Sequence, residues 1–301
     1  MKLIAPDYYN DFHCIANRCT HSCCIGWEID IDCDTLEFYS SIDGDFGRRL
    51  RDNICFDDTP HFKLGNGDRC PFLNDDGLCD IIINLGQNSL CQICDDHPRF
   101  RNFYENRIEI GLGLCCEEAA RLILSRESKT SLCVLEDDES IEIEQEFFSF
   151  REQIFDILQD RSQRFDRRIE QLLKSYNINQ KKPNLEFWQS LERLDNSWDG
   201  VLKMLENADL SCDLPREWDT PFEQLAVYFA YRHLTPDLYV GEIVFIAIAC
   251  TLIRDICKAH FKKYGKLEFS DFADYARMFS SEIEYSSENL EMCLHLVCTT
   301  S

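Results

Sequence analysis

From Phe147 to Leu173, apolar residues return at an approximate 3.6-residue period. They are Phe147, Phe148, Phe150, Ile154, Phe155, Ile157, Leu158, Phe165, Ile169, Leu172 and Leu173, with charged residues between them. That period places the apolar side chains along one face of a helix. The stretch predicts one long helix or two. Leu185–Leu205, Phe222–Leu234, Tyr239–Phe261, Phe269–Phe279 and Ser287–Val297 are further helical stretches. Pro183, Pro215, Pro221 and Pro236 punctuate some of the spaces between them, as expected of a residue that breaks helix interiors. No internal repeat of solenoid length is present.

The first 116 residues read differently. Trp27-Glu28-Ile29-Asp30-Ile31 alternates in the manner of a short strand, and Arg107-Ile108-Glu109-Ile110 reads as another. Gly65-Asn66-Gly67-Asp68 and Asn74-Asp75-Asp76-Gly77 are turn sequences. A helix is expected after Cys116, because Glu117 and Glu118 would sit in its positive first turn. The composition changes near residue 130, and Glu136-Asp137-Asp138-Glu139 reads as a solvated connection. The expected organisation is therefore a loop-rich region over residues 1–130 and a helical domain over 131–301. The expected fold class is mainly α.

Composition and charge narrow the function. The chain has 301 residues, 45% of them apolar, and a formal net charge of -24. A phosphate backbone needs excess Lys and Arg, so nucleic acid is not expected as the main partner. A basic protein surface is compatible with that charge. The longest apolar run, Ile243 to Ile253, is far shorter than the ~20 residues of a membrane helix. The first residues lack the apolar core of a signal peptide. A cytoplasmic protein without a membrane partner is the expectation, and grouped cysteines there more often bind metal than form disulfides.

Twelve of the 18 cysteines lie in the first 116 residues. The groups are Cys14-x4-Cys19-x3-Cys23-Cys24, then Cys70-Pro71-Phe72-Leu73 with Cys79, then Cys91-x2-Cys94-x2-His97-Pro98-Arg99-Phe100, and finally Cys115-Cys116. Thiolates are soft ligands, and closely spaced sets of them suit zinc or iron–sulfur clusters. Loops are compatible with such a region, because metal–thiolate bonds replace part of a hydrophobic core.

Pro6-x-Tyr8, Phe12-His13-Cys14-Ile15, Cys23-Cys24-x-Gly26-Trp27 and Ile29-Asp30-Ile31-Asp32 open the chain. Cys70-Pro71-Phe72-Leu73, Cys94-x2-His97-Pro98-Arg99-Phe100 and Cys116-x2-Ala119-Ala120-Arg121-Leu122 follow in order over about the first 125 residues. In these pieces the chain resembles the flagellin lysine N-methylases of the FliB type. The same pieces are similar to cysteine-rich zinc- or iron-chelating proteins with a CxxCxxCC-like opening, although the spacing here is wider. The helical half carries little signature. The resemblance implies methyl transfer from S-adenosylmethionine to lysine amines of flagellin. It also implies an iron–sulfur cluster, [4Fe–4S] in type, with zinc as the alternative. A metal carrier, a redox sensor or a zinc-stapled interaction module would use the same thiols.

Matching to the family pattern favours Cys14, Cys19, Cys23, Cys24, Cys70, Cys79, Cys94 and Cys116 as metal ligands, and the CxxC adds Cys91. Cys115 is the weaker of its pair. Cys33 and Cys55 stand outside the groups and read as buried thiols. The three-cysteine motif of radical S-adenosylmethionine enzymes would need a cysteine at Gly26, so polar displacement by a neutral lysine amine is the simpler chemistry. Gly111-Leu112-Gly113 is too short for a dinucleotide loop. His97 and Arg99 are the candidate cofactor contacts, and no catalytic base is singled out. His13 and His21 read as surface or supporting residues. Cys133, Cys212, Cys250, Cys257, Cys293 and Cys298 have no metal spacing, and Cys250 and Cys257 are expected in the core. Trp188, Trp198 and Trp218 are expected there too.

Overall fold

A computed structural model describes residues 1–137, 146–179, 182–236 and 239–296. Asp138, Glu139, Val297 and Cys298 of the sequence reading lie outside these residues. Among the described residues α-helix predominates, as the periodicity implies. The chain forms two compact units: residues 13–100, and residues 1–12 together with 101–301. That division differs from the boundary expected at 130. Its cause is the strand Lys2–Pro6, which pairs parallel with Arg107–Leu112 and antiparallel with Leu132–Glu136. Backbone pairing therefore ties the first residues to the helical unit. Glu136, expected in a solvated connection, instead lies opposite Leu3 in that sheet.

In the larger unit the apolar period breaks into two helices, Glu146–Leu158 and Phe165–Ser175. The stretch 185–205 also divides, into Leu185–Ser190 and Ser197–Lys203. Between them the backbone leaves helical bonding for tertiary partners. Leu194 N donates to a Glu282 carboxylate oxygen at 3.1 Å, and Glu192 N donates to Asn289 Oδ1 at 2.8 Å. Asp219–His233 and Tyr239–Tyr264 form the centre of the unit. Pro221 falls in the first turn of the former, where its missing N–H removes no helical bond. From Phe222 to Tyr231 that helix is buried on every side, which is why its sequence is not amphipathic. Trp188, Trp198, Trp218, Cys250 and Cys257 are all in this core, as expected.

Two buried ion pairs brace the unit. Arg151 meets Glu109 through two bonds of 2.6 Å, joining the helix Glu146–Leu158 to the sheet. Arg168 Nη1 donates to Glu223 Oε2 at 2.6 Å, and Arg161 adds bonds to the same carboxylate. Both carboxylates are fully buried, so the paired guanidinium groups satisfy charges that would otherwise be costly.

The smaller unit contains more helix than its loop-rich sequence suggests. Cys33–Ser41, Gly44–Asp52, Asp80–Leu85 and Gln92–Asp96 are short helices. Asp32 caps two of them at once, accepting from Thr35 N at 2.9 Å and from Gln92 N at 2.8 Å. The stretch Trp27–Ile31 makes no extended strand. It keeps the predicted alternation, however, with Ile29 and Ile31 buried and Glu28 and Asp30 exposed. The core joins Ile29, Ile31, Tyr39, Leu50, Ile54, Phe62, Phe72 and Ile81 with Cys70 and Cys91.

Candidate metal centre and the buried polar hub

Turn chemistry brings five thiols of residues 13–100 together. Cys70 N donates to the Cys24 carbonyl at 2.9 Å, and Ile25 bridges to Arg69. Cys24 and Cys70 are thereby neighbours on adjacent backbone segments. Past Cys70-Pro71-Phe72-Leu73 the chain turns back. Asn74 Oδ1 accepts from Asp76 N and Leu78 N at 3.0 and 2.9 Å, and Gly77 takes a φ of +73°. A positive φ of this kind favours glycine. The turn closes with a Leu73–Cys79 bridge, returning Cys79 to the Cys70 side. Cys91 is the N-cap of the helix Gln92–Asp96, and Cys94 lies one turn along it, so the two share a face.

Electrostatics record the gathering. Burial pushes Cys70 up to about 12, and the charges of Cys24, Cys79 and Cys91 push in the same direction. Cys91 and Cys94 are hydrogen-bonded to each other, which holds Cys91 low and drives Cys94 high. Cys24 is lowered to about 7, first by its hydrogen bond to Cys23 and further by Ser22 and Arg69, against the cost of burial. Burial raises Tyr39, and the charges of Cys91, Cys94 and Cys79 add to the rise. Cys24, Cys70, Cys79, Cys91 and Cys94 thus form one interacting set around the core. All five are free thiols.

The other predicted ligands are placed differently. Cys14 is exposed, with its Sγ accepting from Ala16 N at 3.4 Å. Cys19 Sγ donates to the His21 carbonyl at 3.3 Å. Cys23 is exposed but hydrogen-bonded to Cys24. Cys116 belongs to the other unit, where it is the N-cap of the helix Glu117–Leu124. His97 lies beside the thiol set in sequence and packs against Trp27 at 6.2 Å between ring centres. Its Nε2 is buried with no hydrogen-bond partner, and burial together with Arg99 lowers it to about 4. Arg99 donates to the Asp95 carbonyl at 3.0 Å. Cys33, expected to be buried, is exposed on the first turn of its helix, and Cys55 is half-buried. Gly26, where a radical motif would need its third cysteine, has a φ of +96°, a conformation that any Cβ strains.

The larger unit carries a polar hub that the sequence did not mark. The helix Phe269–Phe279 runs into a π-helical turn, Ser280–Glu284, and such turns re-aim side chains. Glu284 is directed inward and its side chain is fully buried. Tyr228 Oη donates to Glu284 Oε2 at 2.9 Å and accepts from Arg232 Nη1 at 2.8 Å and Leu114 N at 3.2 Å. His233 Nε2 lies 2.5 Å from Glu284 Oε1. Cys115, pushed up to about 12 by burial, hydrogen-bonds Tyr285. Tyr285 is 47% exposed and so links the hub to solvent. A local signal existed only in Tyr228, Arg232 and His233, which share one helix at helical spacing.

Comparison with known proteins adds the family. The FliB lysine N-methylase C-terminal domain matches residues 106–299, well over half of the chain. The chain belongs to the FliB lysine N-methylase family. The match falls on the helical part in which sequence motifs were sparse, and it includes the whole hub. The flagellar biosynthetic protein FliU of Salmonella muenchen is 32% identical over 130 residues, which cover 40% of this chain and 75% of that protein. The lysine-N-methylase of Salmonella typhimurium strain LT2 is 31% identical over 130 residues, covering 40% of this chain and 32% of that protein. The lysine-N-methylase of Salmonella choleraesuis strain SC-B67 gives the same values. The chain therefore spans about a third of the lysine-N-methylases it matches. No solved structure matches the chain. No helix of the described residues is long and apolar enough to cross a membrane.

Proposed function

We propose that this chain is an S-adenosylmethionine-dependent protein-lysine N-methyltransferase that acts on flagellin and carries a [4Fe–4S] cluster. The observation that carries the reading is the lysine N-methylase family match over residues 106–299. Flagellin as substrate is supported by the flagellar name of FliU. The net charge of -24 would steer lysine-bearing surfaces toward the enzyme. In the reaction the lysine nitrogen attacks the sulfonium methyl carbon. An N–CH3 bond forms, the S–CH3 bond breaks, S-adenosylhomocysteine leaves, and the nitrogen gives up a proton. The chain must hold that nitrogen neutral and in line with the methyl.

The donor set fits the cluster. A single tetrahedral zinc ion with Zn–S bonds of about 2.3 Å requires sulfurs about 4 Å apart. Among the described residues, no three thiols have all their sulfurs within 4.8 Å of one another. The wider set Cys24, Cys70, Cys79, Cys91 and Cys94 suits a polynuclear cluster, which spreads its cysteines over several irons. Four of these thiols would hold it, and bound there it would supply redox capacity or local rigidity. His97, with its unpartnered buried Nε2, is the supporting residue beside it. Arg99 is kept as the second cofactor contact.

The test is a methylation assay with anaerobically purified full chain, S-adenosylmethionine and flagellin, read by mass spectrometry. One-methylene mass increments on flagellin lysines are expected. No increments from protein that retains its visible cluster absorbance would refute the enzyme reading and favour a redox-sensing or metal-carrying module.

A further inference from the structure

We propose that Cys55, Asp57 and His61 form a three-residue site for a zinc-class divalent cation. The site is separate from the five-thiol set and independent of the methylation reading. It begins with a short hairpin, Ile54–Cys55 paired with His61–Phe62, in the register Ile54–Phe62 and Cys55–His61. Directly paired residues project to the same face of a hairpin. Ile54 and Phe62 are 3% and 1% exposed and occupy the core face. Cys55 and His61 therefore share the opposite face.

The intervening turn carries Asp57 back to that face, where Cys55 Sγ lies 3.1 Å from Asp57 Oδ2. The donor atoms of Cys55, Asp57 and His61 all lie within 4.8 Å of one another, the only such trio among the described residues. The His61 ring is held on both sides: Nδ1 is 2.8 Å from the Thr59 carbonyl, and Nε2 is 3.3 Å from Glu28 Oε2. A cation bound by His61 would displace one of these two contacts.

The donor chemistry selects the ion. One thiolate, one imidazole and one carboxylate, with water completing the shell, suit zinc and its neighbours in the first transition row. Magnesium and calcium want oxygen alone. Binding would release the Cys55 proton and tie the 56–60 turn to the hairpin that carries Cys55 and His61.

The experiment titrates full-chain protein, its thiol set loaded, with zinc against a chromophoric chelator. It compares wild type with Cys55→Ser, His61→Gln and Asp57→Asn. Wild type is expected to take up one zinc beyond the metal held by the thiol set. Each variant should bind that zinc about tenfold more weakly or worse, with the visible absorbance unchanged. Zinc should raise the melting temperature of wild type but not of Asp57→Asn. Asp57 is exposed in a turn, so this variant should melt like wild type in the presence of chelator. Wild type that takes up no additional zinc overturns the proposal. Uptake that survives all three substitutions overturns it equally.

Discussion

Replacing Glu284 by glutamine tests the polar hub most directly. The Glu284 side chain is fully buried and accepts from Tyr228, while His233 and Arg232 lie 2.5 and 3.3 Å from Oε1. Glutamine keeps the shape but loses the charge, and its amide would turn donors toward groups that are themselves donors. Arg232 would lose the Glu284 charge that lies beside it in the interior. Removing one partner of a buried ion pair costs about 3–5 kcal/mol. At roughly 2–4 °C per kcal/mol for a unit of this size, melting should fall by roughly 6–20 °C. The double variant Glu284→Gln with Arg232→Gln should be more stable than the sum of the single losses, by about 0.5–3 kcal/mol.

Acid should sharpen the same test. Burial pushes Glu284 up, but Arg232 and His233 outweigh it and hold the carboxyl below its ordinary 4.5. The stability it contributes is therefore present above that value and is lost as pH falls through the folded one. Burial lowers His233 below 6.5, so acid also favours the unfolded chain from that pH downward. Urea unfolding of wild type across this range should show both losses, and Glu284→Gln should lack the lower one. A Glu284→Gln protein within about 1 kcal/mol of wild type at neutral pH, far below the cost of an uncompensated buried charge, would refute the reasoning.

Four further outcomes are expected. Cys94→Ser should abolish the visible absorbance of the anaerobically purified protein. Cys33→Ser, at an exposed position, should leave stability within about 0.5 kcal/mol and the spectrum unchanged. Arg151→Met removes one of the two guanidinium groups on the fully buried Glu109, leaving Arg107, and should cost about 1–3 kcal/mol in urea unfolding; an unchanged midpoint would mean that Arg107 alone satisfies the carboxylate. Gly47→Ala would place a Cβ 1.9 Å from the Ile42 carbonyl oxygen. Backbone must move to admit it, so a loss of about 1–3 kcal/mol or more is expected in thermal melting.

Local pattern made much of the helical unit legible. Phe269–Phe279 is a helix over the residues its period predicts, and Asp219–His233 and Tyr239–Tyr264 extend the predicted ones by a few residues. Alternation gave the right faces at Trp27–Ile31, although that segment forms a single isolated bridge, Asp30 to His61. Local pattern could not foresee the break at 191–196, where Glu282 and Asn289, some 90 residues away, capture backbone N–H groups. The pairing of Lys2–Pro6 with Arg107–Leu112 was equally invisible, because each short segment gains its partner only on folding.

The amino-acid sequence by itself determined that this protein is mainly helical, acidic, rich in cysteine and FliB-like. Those properties follow from residue type and near-neighbour spacing. Only the tertiary structure decided that Cys24, Cys70, Cys79, Cys91 and Cys94 gather, that Cys116 belongs to the other unit, and that Cys55 stands beside Asp57 and His61. Which thiols converge depends on where turns close and which backbone segments pair, and spacing along the chain does not carry that information.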